Sequence, residues 1–125
     1  MSSSYRDLLV WQKAMDLSEA IYQATRSFPK EERYGLVAQM RRASVSVASN
    51  IAEGQGRLTT GEFRHFPGVA RGSLLELETQ VLLAGRPGML IVSAVENFVS
   101  KSDEIKRMLH GLAESLSERA SSTRN

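Results

Sequence analysis

A chain of 125 residues, 42% hydrophobic and 24% charged, fits a single globular domain, and it is long enough to bury a core without metals or disulfides. It has no cysteine, which excludes disulfides, thiolate metal sites and a cysteine nucleophile and fits a reducing compartment. The net charge of +2 is unevenly placed: residues 33–72 hold Arg33, Arg41, Arg42, Arg57, Arg64 and Arg71 against Glu53 and Glu62, a net +4, while each flanking segment is net −1. The opening MSSSYRDLLVWQ lacks the basic start and apolar run of a signal peptide. No apolar stretch reaches the roughly 18 residues of a membrane span. The expectation is a soluble, cytoplasmic protein with no membrane partner.

Residues 1–4 read as a flexible tip. From Tyr5 onward, Val10, Ala14, Leu17, Ile21, Ala24 and Phe28 recur at alternating spacings of four and three, thickened on one side by Trp11, Met15 and Tyr22. This predicts a helix over about 7–27, ended by Pro29. A second helix is predicted over 31–54, with Glu31 and Glu32 at its positive end and Gly54 and Gly56 as stops. On a wheel advancing about 100° per residue, Leu36, Met40, Ala43, Val47 and Gly54 form one stripe, flanked by Val37 and Ile51. Ala38, Val45 and Ala52 form another on the opposite side. A helix on the outside of a monomer does not need two apolar sides, so this helix is expected to meet its own bundle and a neighbouring subunit. Asn50 falls near the core stripe and is read as a buried amide satisfied by a neighbouring helix.

Thr59 or Thr60 suits the cap of a third helix over about 60–86, with Glu62 in its first turn. Its core stripe is Phe63, Phe66, Ala70, Leu74, Leu77, Val81 and Ala84; Leu75 and Leu82 form a second apolar edge, assigned to subunit contact. Pro67 and Gly68 inside this pattern predict a kink at Phe63–Pro67 or an effective start near Pro67. Gly85-Arg86-Pro87-Gly88 reads as a tight turn. The fourth helix is predicted over 90–118 on Ile91, Val95, Phe98, Ser102, Ile105, Leu109, Leu112 and Leu116, with 120–125 as a flexible tail. Four long helices on short turns predict one all-α domain over 1–125: an oligomeric, antiparallel, up-down-up-down four-helix bundle.

The runs SFPKEERYGL (27–36), QMRRA (39–43), SNIAEG (49–54) and GSLLELETQ (72–80), with the opening YRDLLVWQKAMDL, resemble the four-helix bundle protein family. Its members are called 23S rRNA intervening-sequence proteins, or S23 ribosomal proteins in older labels. The resemblance implies a small bacterial up-down bundle, a homopentamer in some members, and in many an encoding insertion within the large-subunit rRNA gene. A related branch, accessory proteins of diversity-generating retroelements, implies basic pentamers that bind nucleic acid and a reverse transcriptase. Pro67-Gly68, the breaker-rich last turn and the modest charge of +2 depart from the family pattern.

The chemistry-bearing residues are few. Glu62 and His65 form a Glu-x-x-His pair, but a di-metal bundle site needs two such motifs and two more inward glutamates, and Arg107 stands three residues before His110. His65 is read as a surface residue, and no metal or cofactor is expected. Without a cysteine, a phosphate loop or a nucleophile beside a base, no enzyme is expected and no catalytic residue is assigned. The arginines carry the best functional reading. Arg41, Arg42, Arg57, Arg64 and Arg71 suit phosphate oxygens, so the expected function is binding of RNA or DNA backbone by an oligomer. The same arginines suit intersubunit salt bridges to Glu53 or Glu78. The alternative is an oligomeric scaffold for a protein partner, with no nucleic-acid ligand.

Overall fold

The computed structural model describes residues 4–56 and 66–123. Its helices are α1 (Leu9–Thr25), α2 (Leu36–Gln55), α3 (Phe66–Gly85) and α4 (Val92–Thr123), and no strand occurs among the described residues. α2 packs on α1 and α3, α4 packs on α3, and α4 returns to α1, so the helices enclose one core. The four–three spacings seen in the sequence largely point inward, but Ile91, assigned to the stripe of the fourth helix, precedes α4 and is exposed. Leu17, Ile21, Met40, Val47, Ile51, Leu74, Val81, Ile105 and Leu109 are almost fully buried. Truncating one of the larger of these, such as Leu74, to alanine would cost about 2–5 kcal/mol.

Several boundaries differ from expectation. Tyr5–Asp7 form a separate 3-10 turn, capped by the Ser4 hydroxyl accepting from the Arg6 N–H at 3.2 Å, so α1 starts at Leu9. Lys30–Glu32 also form a 3-10 turn, and α2 starts only after Gly35. Glu31 and Glu32 therefore lie outside α2. Gly54 does not stop α2: it is buried within it, and the helix runs on to Gln55. α4 continues to Thr123, past the expected end at 118. The expected kink at Phe63–Pro67 lies partly outside the described residues. α3 is described from Phe66, and Pro67 is buried in the first described turn. Met15 and Tyr22 face outward rather than thickening the core stripe.

The turn from α3 to α4 is built from its sequence. Gly88 has φ +86°, a left-handed conformation that an L side chain disfavours. Around it, the Met89 N–H donates to the Ala84 carbonyl at 3.0 Å and the Gly88 N–H donates to the Gly85 carbonyl at 3.2 Å. These are the paired bonds of a Schellman motif, which satisfy carbonyls left over at the helix end. Gly85 permits the close approach of α4: a Cβ there would lie 2.8 Å from Val95 Cγ2.

Small polar residues set two helix contacts. Ser18 of α1 and Ser44 of α2 meet at 3.0 Å, both buried. Ser44 donates its one proton to the Arg41 carbonyl at 2.9 Å, so Ser18 is the donor between them. On the other flank of α2, Ser46 meets Ser73 of α3 at 2.9 Å. Asn50 is half-buried and donates to the Ser46 carbonyl and hydroxyl of its own helix at 2.8 and 2.9 Å. Among the described residues its amide group is thus satisfied within α2 rather than by a neighbouring helix, and it reaches α3 through Ser46.

Candidate nucleic-acid interface

Among the described residues, Arg41 and Arg71 lie in different neighbourhoods. Arg41 lies five positions before Ser46, about 140° round α2, so it faces α1 while Ser46 faces α3. Its Nε donates to Thr25 Oγ1 at 3.0 Å, its Nη2 donates to the Tyr22 carbonyl at 3.4 Å, and its guanidinium sits 4.7 Å from the Tyr22 ring centroid. Thr25 can accept because its own proton goes to the Ile21 carbonyl at 2.8 Å. Tyr22 and Thr25 belong to the last turn of α1, where a cation meets the partial negative charge of the helix end. Arg41 therefore ties α2 to α1. Arg42 is exposed on α2. Arg57 and Arg64 lie outside the described residues.

Arg71 belongs to a different neighbourhood. It lines a shallow groove of about 720 Å³ with Asp103, Lys106, Arg107 and His110 of α4. Lys106 is 3.0 Å from Asp103 Oδ1 and 3.4 Å from Glu78 Oε1, and these bonds join α4 to α3. The Asp103 hydrogen bond raises its pKa above the ordinary lysine value; burial pulls the other way, and Glu78 adds to the rise. Lys106 thus stays charged, the reverse of what a nucleophilic lysine needs. Glu78 is thus engaged within the chain, by Lys106. His110 pairs with Glu114 at 3.3 Å when protonated. Arg71 and Arg107 are exposed and have no acidic partner among the described residues.

Lys106 and Arg107 escaped sequence reasoning because the last segment is net negative and hides its cations in the sum. Arg26, Lys30 and Arg33 escaped it too. They line a second cleft with Arg41, at the connection between α1 and α2. Glu31 and Glu32 offset Arg26 and Lys30 in a linear count, Arg33 was counted in the positive segment without a role, and the three- and four-residue spacing around Phe28-Pro29 was the hint of a cluster.

The residues assigned to subunit contact fall on two faces. Ala38 and Ala52 are half-buried and Val45 is 42% exposed, on the side of α2 turned from the core. Leu75 and Leu82 are 39% and 51% exposed on α3. Leu82 lies nine positions from Ser73, half a revolution away, and it lines a groove with Val95, Val99 and Arg107 of α4. It is therefore on the far side of α3 from α2.

Residues 6–111 match the sequence profile of the 23S rRNA-intervening sequence protein family. The chain belongs to this family. The fold of the S23 family agrees. A crystal structure of a protein with unknown function from the S23 ribosomal protein family of Bacteroides thetaiotaomicron VPI-5482 is similar at TM-score 0.75 and 19% identity, covering 84% of this chain and 98% of that one. At that identity the likeness concerns the fold alone. No curated protein matches the chain. In this 23S rRNA-intervening sequence protein family member, no described helix is long and apolar enough to cross a membrane. No group of three or more histidine, aspartate or glutamate residues among the described residues is placed to hold a metal ion. The Glu62–His65 pair lies outside them.

Proposed function

We propose that this protein is a non-enzymatic homo-oligomer that binds the phosphate backbone of RNA or DNA through exposed arginines of α2, α3 and α4. The observation that carries this reading is the pair Arg71 and Arg107, exposed at one groove with the charged Lys106 and without acidic partners among the described residues. Exposed guanidinium groups that are not already paired are free to exchange counterions with phosphates. The family's name ties its members to 23S rRNA, so RNA is the first ligand to test. Repetition around an oligomer multiplies each small patch and its field. The family resemblance favours a pentamer. An antiparallel, up-down-up-down arrangement is supported by the contacts Glu78–Lys106 and Gly85–Val95, whose numbers rise on one helix as they fall on the other. We place the protein in the cytoplasm.

Retention of RNA on a filter at several salt concentrations tests this reading. Wild-type affinity should fall steeply with salt. Arg71→Glu combined with Arg107→Glu should weaken binding at least about tenfold at low salt and flatten the log–log salt slope by about two. A wild-type protein that retains no RNA at low salt would refute it. That outcome would favour a second reading, an oligomeric scaffold for a protein partner, which the exposed Leu75, Leu82, Leu83, Ile91 and Val92 support.

A further inference from the structure

The connection between α1 and α2 folds over a cleft of about 570 Å³. Small-molecule sites fall in a range of about 300–1,000 Å³. Arg26, Lys30, Arg33 and Arg41 line it, together with Thr25 and Tyr34, whereas Glu31 and Glu32 do not. Arg26, Lys30 and Arg33 have no ion pair among the described residues. Arg41 is held in place by Thr25 and the Tyr22 carbonyl, bonds that engage two of its five N–H groups. It also neutralises the negative end of α1, which would otherwise repel an anion here. Four cations around one cleft repel one another, and an anion between them relieves that repulsion.

Beside these charges stands an aromatic ring in the open. Tyr34 is 87% exposed, and the Arg33 guanidinium sits 5.8 Å from its ring centroid. A ring held next to cations, with its surface facing water, is the arrangement on which unpaired bases stack.

We infer that this cleft receives one nucleotide of a single strand, its phosphate among Arg26, Lys30 and Arg33 and its base against the Tyr34 ring. The inference rests on the nucleic-acid reading above and names the strand state and the residues. A duplex hides its base faces in its own stack, so Tyr34 distinguishes a single strand from a duplex, while the cations alone do not.

Fluorescence anisotropy with a labelled oligoribonucleotide of roughly a dozen residues, single-stranded and as a duplex with its complement, tests this on the whole chain. Wild type should prefer the single strand. Tyr34→Ala should weaken single-strand binding roughly five- to a hundredfold while leaving duplex affinity and thermal melting unchanged, since Tyr34 is largely exposed. Tyr34→Phe should keep the preference, because stacking needs the ring and not the hydroxyl. Lys30→Glu with Arg33→Glu should weaken the single strand further. Equal binding of both strands with no effect of Tyr34→Ala overturns the inference; if Arg71→Glu with Arg107→Glu still abolishes that binding, the backbone reading survives. Failure of wild type to bind either strand overturns both.

Discussion

Two buried serines in this bundle have opposite energetic signs. Ser44 is fully buried and passes its proton to the Arg41 carbonyl while accepting from Ser18 across the α1–α2 contact. Ser44→Ala would leave the Ser18 hydroxyl without its partner and should lower stability by about 1–2 kcal/mol. Ser102 of α4 is also buried, 3% exposed, yet its hydroxyl has no partner among the described residues. Ser102→Ala removes a desolvated group that gains nothing in return and should raise stability by about 1 kcal/mol, or roughly 3–5 °C in melting temperature. Thermal melts of the two variants beside wild type check both signs. Sequence spacing put Ser102 on the core stripe of the fourth helix, which the structure confirms, but spacing has no means of reporting a hydroxyl's partner. For the same reason Arg41 read as a phosphate ligand: its engagement depends on where α1 ends, a boundary that Thr25 and Tyr22 reveal only once the helices are packed.

At the scale of elements, the α3–α4 turn and the Lys106 cluster make separate predictions. Gly88→Ala forces a side chain into a left-handed backbone and should cost about 1–2 kcal/mol. The cost is read as a lower denaturant midpoint with unchanged slope. Lys106 binds Asp103 and Glu78, and its pKa is raised in the folded state. A raised pKa means that folding favours the protonated lysine. Its contribution is full below the ordinary lysine value and fades as pH rises through the folded one. Lys106→Met should therefore lower stability by about 1 kcal/mol near neutral pH, and urea melts should show the gap closing in strongly alkaline buffer. Helix periods were legible because Val10 to Ile21 and Ala70 to Ala84 repeat with the turn of the helix. The start of α2 was not, because Glu31 and Glu32 look like a helix N-terminus until the 3-10 turn at Lys30–Glu32 and the break at Gly35 separate them from it.

For the whole molecule, the question is what covers the outer side of α2. Its core side meets α1 and α3, while Val45, between Ala38 and Ala52, lies open to water. A copy of the same chain packed there would bury that stripe, and it would bring the Arg42, Arg71 and Arg107 side chains of several subunits onto one particle. The two apolar sides of α2 could be read from residues seven apart, but the division of Leu82 from that face could not, since it depends on which flank of α3 each neighbouring helix occupies. Light scattering on the purified chain at low salt, with absorbance at 260 and 280 nm, tests the account most directly. It predicts a mass several times 13.8 kDa, carried nucleic acid released by high salt, and a fall toward the single-chain mass for Val45→Glu. A folded wild-type protein of 13.8 kDa with no absorbance excess at 260 nm would contradict it.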